Sequence, residues 1–110
     1  AGWGNAMRWL LTGDEFDATE ARRIGLVQEV VEDAAAAHAR AIEIAHTIAD
    51  RAAPLGVRAT LASAQLARSS GEAAAFERLQ PEVARLFTTQ DAAEGVQSFV
   101  ERRPAQFQGA

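Results

Sequence analysis

The chain contains no cysteine. That excludes disulfides, thiol nucleophiles and thiolate metal sites, and it fits a reducing compartment. No apolar run approaches the ~20 residues needed to span a bilayer. The opening residues, Ala1 to Asn5, have neither the basic start nor the apolar stretch of a signal peptide. Positive charge is in short supply as well: the formal net charge is -4 and the isoelectric point is about 5.1. Non-specific nucleic-acid binding needs a basic footprint, so it is not expected. No internal repeat, low-complexity tract or linker divides the chain, and 110 residues read as a single helical domain able to bury a core. No Met stands at residue 1, which implies a processed chain or part of something longer. The expectation from these absences is a cytoplasmic protein with no membrane and no nucleic-acid partner.

What is present is helix. Apolar residues make up 48% of the chain, and much of that is alanine, which implies close helix packing with thin side chains. The spacing predicts six helices, an all-α fold. The first runs from Gly4 or Asn5 to Leu11, with Asn5 as N-cap and apolar residues around most of its circumference. Gly13 stops it, and Asp17 with Glu20 three residues later resembles a capping box for a short helix over Ala18–Ile24, with Ala21 and Ile24 inward and Arg22 and Arg23 solvated. Gly25 ends that helix. Leu26–Val31 has β-branched character but no partner strand, so it reads as an extended linker.

A third helix starts at Asp33 and reaches Ala52, with Ala41, Ile42, Ile44, Ala45, Ile48, Ala49 and Ala52 on one face and an exit forced by Pro54. Pro54–Gly56 reads as a turn before a fourth helix, Val57–Arg68, which is apolar on two opposite sides and so expects neighbours on both, another subunit being one candidate in a chain this small. The fifth, Glu72–Phe87, carries Phe76, Leu79, Val83 and Leu86 in a stripe, with Pro81 in its middle predicting a kink. The sixth begins at Asp91, with Glu94 as a second capping-box pair, and Pro104 ends it. Val96, Phe99, Val100 and Arg103 line one of its faces, and Phe107 in the tail should dock.

No complete catalytic site follows from the residues. His38 and His46 are eight apart, too far for a shared metal of the i, i+4 kind, and His38 within an apolar arc reads as a packed residue. Asp14, Glu15, Glu32, Asp33 and Glu43 read as caps or solvated groups, and no two carboxylates are spaced as an acid/base pair. Nucleophile-elbow and phosphate-loop patterns are missing. Arg102 and Arg103 with Phe99 and Phe107 form a cationic-aromatic cluster. Two readings stand for it: cations meeting free carbonyls at a helix C-terminus, or an anion site using the guanidinium fork.

Two stretches carry a more specific resemblance. Leu11–Val27, LTGDEFDATEARRIGLV, resembles the "LTG…A.EA...GLV" segment of the enoyl-CoA hydratase/isomerase (crotonase) superfamily. Asp91–Phe107, DAAEGVQSFVERRPAQF, resembles that family's "D..EG..AF.E.R.P.F" ending, and residues 3–107 can be read continuously as its C-terminal portion. The resemblance implies the helical, trimerisation region of the crotonase fold, with the catalytic spiral core, its oxyanion hole and both acid/base positions absent. It implies a parent enzyme acting on acyl-CoA thioesters, most simply hydrating 2-enoyl-CoA in fatty-acid metabolism, as a homo-oligomer (a trimer or dimer of trimers). No cofactor beyond the coenzyme A of the substrate and no metal are implied, and the segment alone would be inactive. By motif, Phe99 would border the acyl pocket and Arg102 would meet the CoA phosphates; Arg stands where many relatives have Lys. The alternatives are a free-standing helical oligomerisation module, or a crotonase-family isomerase or hydrolase.

Overall fold

Helix ends dominate the architecture. A computed structural model describes all 110 residues, and six helices with no strand follow one another along the chain. They are α1 (Trp3–Thr12), α2 (Ala18–Arg23), α3 (Ala34–Arg51), α4 (Pro54–Ser70), α5 (Glu72–Leu86) and α6 (Gln90–Glu101). The all-α expectation and its count of helices hold. No helix is long and apolar enough to cross a membrane. The chain forms two compact units, Ala1–Ile42 and Glu43–Ala110.

In the first unit, α1 starts at Trp3, earlier than expected, and no side chain caps it. Asn5 lies inside the helix, where its Nδ2 donates to the Ala1 carbonyl at 2.9 Å. Gly13 ends α1 in the left-handed conformation, φ 69°, and its N–H donates to the Trp9 carbonyl at 3.1 Å. A Cβ would be strained there, which is why a glycine stops the helix. The Trp9 ring packs tilted against Phe16 at 4.8 Å between centroids, and the Arg8 guanidinium lies 4.7 Å from its centre, within cation–π range. The Trp9 indole N–H is shielded without an acceptor.

Asp17 caps α2 as expected, its Oδ1 accepting from the Glu20 N–H at 2.8 Å. Glu20 does not complete a capping box. Its carboxylate instead takes the Arg23 Nε and Nη2 at 2.5 and 2.6 Å, because a guanidinium one turn away offers two charged donors where the box offers one amide. The end of α2 is a Schellman motif: Gly25 N–H donates to Arg22 and Leu26 N–H to Ala21, at 3.0 and 2.9 Å. Gly25 supplies the positive φ of 74°, and Leu26 stands in the position that ordinarily gives the motif its apolar contact. Leu26–Val31 forms no strand, in line with the linker reading. Glu29 within it receives Arg40 Nε and Nη2 at 2.7 and 2.9 Å. Asp33 caps α3 through Oδ1, which accepts from the Ala36 N–H at 2.8 Å.

In the second unit, Pro54 corrects an expectation. It does not form the turn after α3 but opens α4 at its first turn, where the missing N–H is unneeded and φ is already helical. The α4 helix packs on α5. Between them runs an open groove of about 920 Å³ whose lining includes Ala59, Ser63, Leu66, Leu79, Val83 and Leu86. This accounts for one apolar side of α4, while Leu61 remains exposed. The α5 helix continues through Pro81.

The expected core is the largest departure. Ala21 and Ile24 are the only buried apolar residues. The apolar face of α3 is open along its length, with Ile42, Ile44 and Ile48 exposed, and so are Trp3, Leu10 and Leu11 on α1. Composition states how much surface favours burial, not what it is buried against. The buried polar residues, Asp91 and Ser98, both lie on α6.

Candidate functional site

The candidate site is the C-terminal end of α6 and the tail that folds back along it. Thr89 caps the helix, its Oγ1 accepting from the Ala92 N–H at 3.1 Å. The expected Asp91–Glu94 capping box is thereby corrected. With the cap supplied by Thr89, both carboxylates turn to the tail. Asp91, 3% exposed, accepts from the Gln108 N–H at 2.7 Å and the Gly109 N–H at 2.9 Å. Its own N–H donates to the Ala110 carbonyl at 3.0 Å. Glu94 takes Arg103 Nη1 and Nη2 at 2.5 and 2.8 Å, and the Gln106 N–H at 2.8 Å.

Arg103 also reaches Glu101 through Nε at 2.5 Å and the Pro104 carbonyl through Nη1 at 3.1 Å. The paired guanidinium and the Gln106 amide hold Glu94 at about 2, well below its ordinary value. Arg103 and then Gln97 lower Glu101 in the same way. Phe107 docks as the sequence suggested, its ring edge 3.7 Å from where a Cβ on Gly95 would stand. A Cβ there would stand in ordinary van der Waals contact with the ring.

Phe99 and Arg102 lie outside this network. Phe99 is 83% exposed, and Val96 and Val100 beside it are also exposed, so one flank of α6 is apolar and open while the other is covered by the tail. Arg102 follows the last residue of the helix, and its N–H donates to the Phe99 carbonyl at 3.3 Å. It adopts φ 54°, ψ 40° and is the only non-glycine residue with positive φ. Its side chain is exposed. Glu101, its neighbour in the chain, and Glu94 are both engaged by Arg103.

Elsewhere little chemistry collects. His38 and His46 are both exposed, which corrects the packed reading of His38, and His46 Nδ1 lies 3.3 Å from Asp50 on the next turn. No group of three or more His, Asp or Glu could hold a metal ion. Each displaced carboxylate, namely Glu20, Glu29, Glu82, Glu94 and Glu101, is displaced downward by an arginine. A general acid requires the opposite direction.

The family model described as enoyl-CoA hydratase/isomerase matches residues 1–110. The chain belongs to the enoyl-CoA hydratase/isomerase family.

Among its relatives, a protein of Thauera aromatica named (E)-benzylidenesuccinyl-CoA hydratase is 39% identical over 110 residues, covering 96% of this chain and 40% of the relative. A crystal structure of a protein from Mycobacterium abscessus, described as a probable enoyl-CoA hydratase/isomerase, superposes with a TM-score of 0.90 at 58% identity, covering all of this chain and 42% of that one. An enoyl-CoA hydratase from Mycobacterium tuberculosis H37Rv superposes with a TM-score of 0.82 at 34% identity, over 97% of this chain and 42% of that one. The chain thus spans about 40% of the length of the curated relatives it matches, as the C-terminal helical region of the crotonase fold. Both stretches that resemble the enoyl-CoA hydratase/isomerase family are places where helix ends are tied: Gly13, Asp17 and Gly25 in one, Asp91, Glu94 and Arg103 in the other.

Proposed function

We propose that these 110 residues are the C-terminal helical segment of an enzyme acting on acyl-CoA thioesters, with addition of water across a 2-enoyl-CoA as the parent reaction. In this reading the segment packs against the catalytic part of the enzyme, joins subunits, and closes the CoA site. Phe99 borders the acyl chain and Arg102 meets a CoA phosphate. The proton-moving groups and the donors for the thioester oxyanion lie outside the segment, which by itself is inactive, and no cofactor is required beyond the coenzyme A of the substrate.

One observation carries the reading: an exposed aromatic and an exposed guanidinium stand three residues apart at the end of α6, while the neighbouring carboxylates are occupied by Arg103. An exposed ring offers apolar area to an acyl chain, and an arginine without a carboxylate partner offers a fork of donors to phosphate. The open apolar face of α3 supports packing against other protein. That same face also suits a free-standing oligomerisation module without catalysis.

The test is steady-state hydration by the full-length chain that carries this segment. Arg102→Ala should raise KM for a 2-enoyl-CoA about tenfold with kcat little changed, the size expected for one hydrogen bond to a charged group. A shortened pantetheine thioester, which lacks the nucleotide phosphates, should be insensitive. Absence of hydration with any enoyl-CoA would sink the reaction assignment and favour the module or another crotonase chemistry; an unchanged KM would remove Arg102 from the site.

A further inference from the structure

The end of α6 is built like the end of α2, with one exchange. Both close in a Schellman motif. At α6, Arg103 N–H donates to the Ser98 carbonyl at 3.1 Å and Arg102 N–H to the Phe99 carbonyl at 3.3 Å. At α2 the left-handed position is Gly25, followed by Leu26, the ordinary form in which glycine avoids the Cβ penalty and an apolar residue closes the loop. At α6 the left-handed position is Arg102, and the closing residue is Arg103 over Ser98, so the apolar contact is missing. In its place stand ion pairs: Arg103 to Glu94 at 2.5 Å and Arg103 to Glu101 at 2.5 Å. The backbone on both sides of residue 102 is therefore pinned, by Glu101 before it and by Arg103 and its bond to the Pro104 carbonyl after it.

We propose that Arg103, clasped by Glu94 and Glu101, is the positioning residue for Arg102. It holds a non-glycine residue in the left-handed conformation, which gives the Arg102 side chain one departure direction. It also engages Glu101, the carboxylate next to Arg102 in the chain, so that this negative charge is already paired beside the Arg102 guanidinium. A strained non-glycine conformation persists only where its surroundings over-determine it, and here the surroundings are this clasp. The inference rests on the reading of Arg102 as a phosphate contact and adds to it the device that makes the contact available.

The experiment compares KM for a 2-enoyl-CoA and for the corresponding pantetheine thioester in the full-length chain. Arg103→Gln should raise KM for the CoA substrate about three- to fivefold, the scale of an exposed ion pair. The pantetheine KM and kcat should be unchanged, and Arg103→Lys should restore part of the loss. The double variant Arg102→Ala with Arg103→Gln should be no worse than Arg102→Ala, because Arg103 acts through residue 102. Arg102→Gly should raise the melting temperature yet show the full CoA defect of Arg102→Ala.

If Arg102→Ala raises the CoA KM and Arg103→Gln does not, the positioning role is overturned and the phosphate contact stands. If Arg103→Gln weakens both substrates alike or lowers kcat, the clasp is only structural and the inference is overturned. An insensitive Arg102→Ala overturns both. Should Arg103→Gln fail to fold, the near-isosteric Glu94→Gln carries the same comparison.

Discussion

Replacing Asp91 by Asn should loosen the tail without unfolding α6, and the geometry sets the size of the effect. Asp91 is 3% exposed, and its two oxygens each accept one tail amide, Gln108 at 2.7 Å and Gly109 at 2.9 Å. Asparagine keeps one acceptor, now uncharged, and turns an NH2 group toward the other amide, so one charge-assisted bond is lost with two donors left facing each other, and the remaining bond becomes a neutral one. A hydrogen bond to a charged group contributes about 1.5–3 kcal/mol. That range corresponds to a local opening equilibrium roughly 10- to 150-fold more populated. Amide hydrogen exchange in the full-length chain reads this directly, because local opening governs exchange at protected sites. The amides of residues 108 and 109 should exchange faster by that factor, while amides in the middle of α5 stay unchanged. Exchange at both tail amides within about threefold of the parent would refute the assignment of Asp91 as the tail's anchor, since that change is below the weakest charged hydrogen bond in the range.

Three further outcomes follow from the same elements. Glu94 is held at about 2 against an ordinary 4.5, first by Arg103 and then by the Gln106 amide. Its folded value lies below its unfolded value, so its contribution is fully present above about pH 4.5 and fades as pH falls toward 2. Urea midpoints measured between pH 5 and pH 2.5 should fall less steeply for Glu94→Gln than for the parent. Thr89→Ala should destabilise by about 1 kcal/mol through loss of the α6 cap, seen as a lower urea midpoint at constant m-value. Pro81→Ala should stabilise by up to about 3 kcal/mol, because the exposed proline withholds one helical N–H in mid-helix; a lower urea midpoint would show that the proline shapes α5 for a contact.

What the sequence made legible was local. Asp17, Asp33 and Gly13 announce helix ends because cap and partner lie within a turn, and the structure finds each in that role. Pro54 was ambiguous for the same local reason: a proline both follows one helix and opens the next, and only the chain's path decides between them. Asp91 and Glu94 have the spacing of a capping box, but their partners lie 9 to 18 residues on, beyond any periodicity. The one available signal was two arginines and a proline just past a helix that already had Thr89 to cap it. Burial was the least legible property, because an apolar face such as that of α3 records a preference and carries no address. The residues alone put Phe99 and Arg102 in a cationic-aromatic cluster with Arg103 and Phe107; only the family resemblance separates Arg102 from Arg103 and gives Phe99 a part at the acyl pocket.

The clasp along α6 is made of carboxylates, a guanidinium and backbone amides, with one aromatic, Phe107, as its apolar member. Contacts of that kind bury little apolar surface, so they add little to the heat capacity of unfolding and do not fade on cooling as apolar contacts do. The apolar contact of α4 with α5 depends on temperature in the ordinary hydrophobic way. Chilling therefore weakens the packing of α4 on α5 more than it loosens the strap along α6.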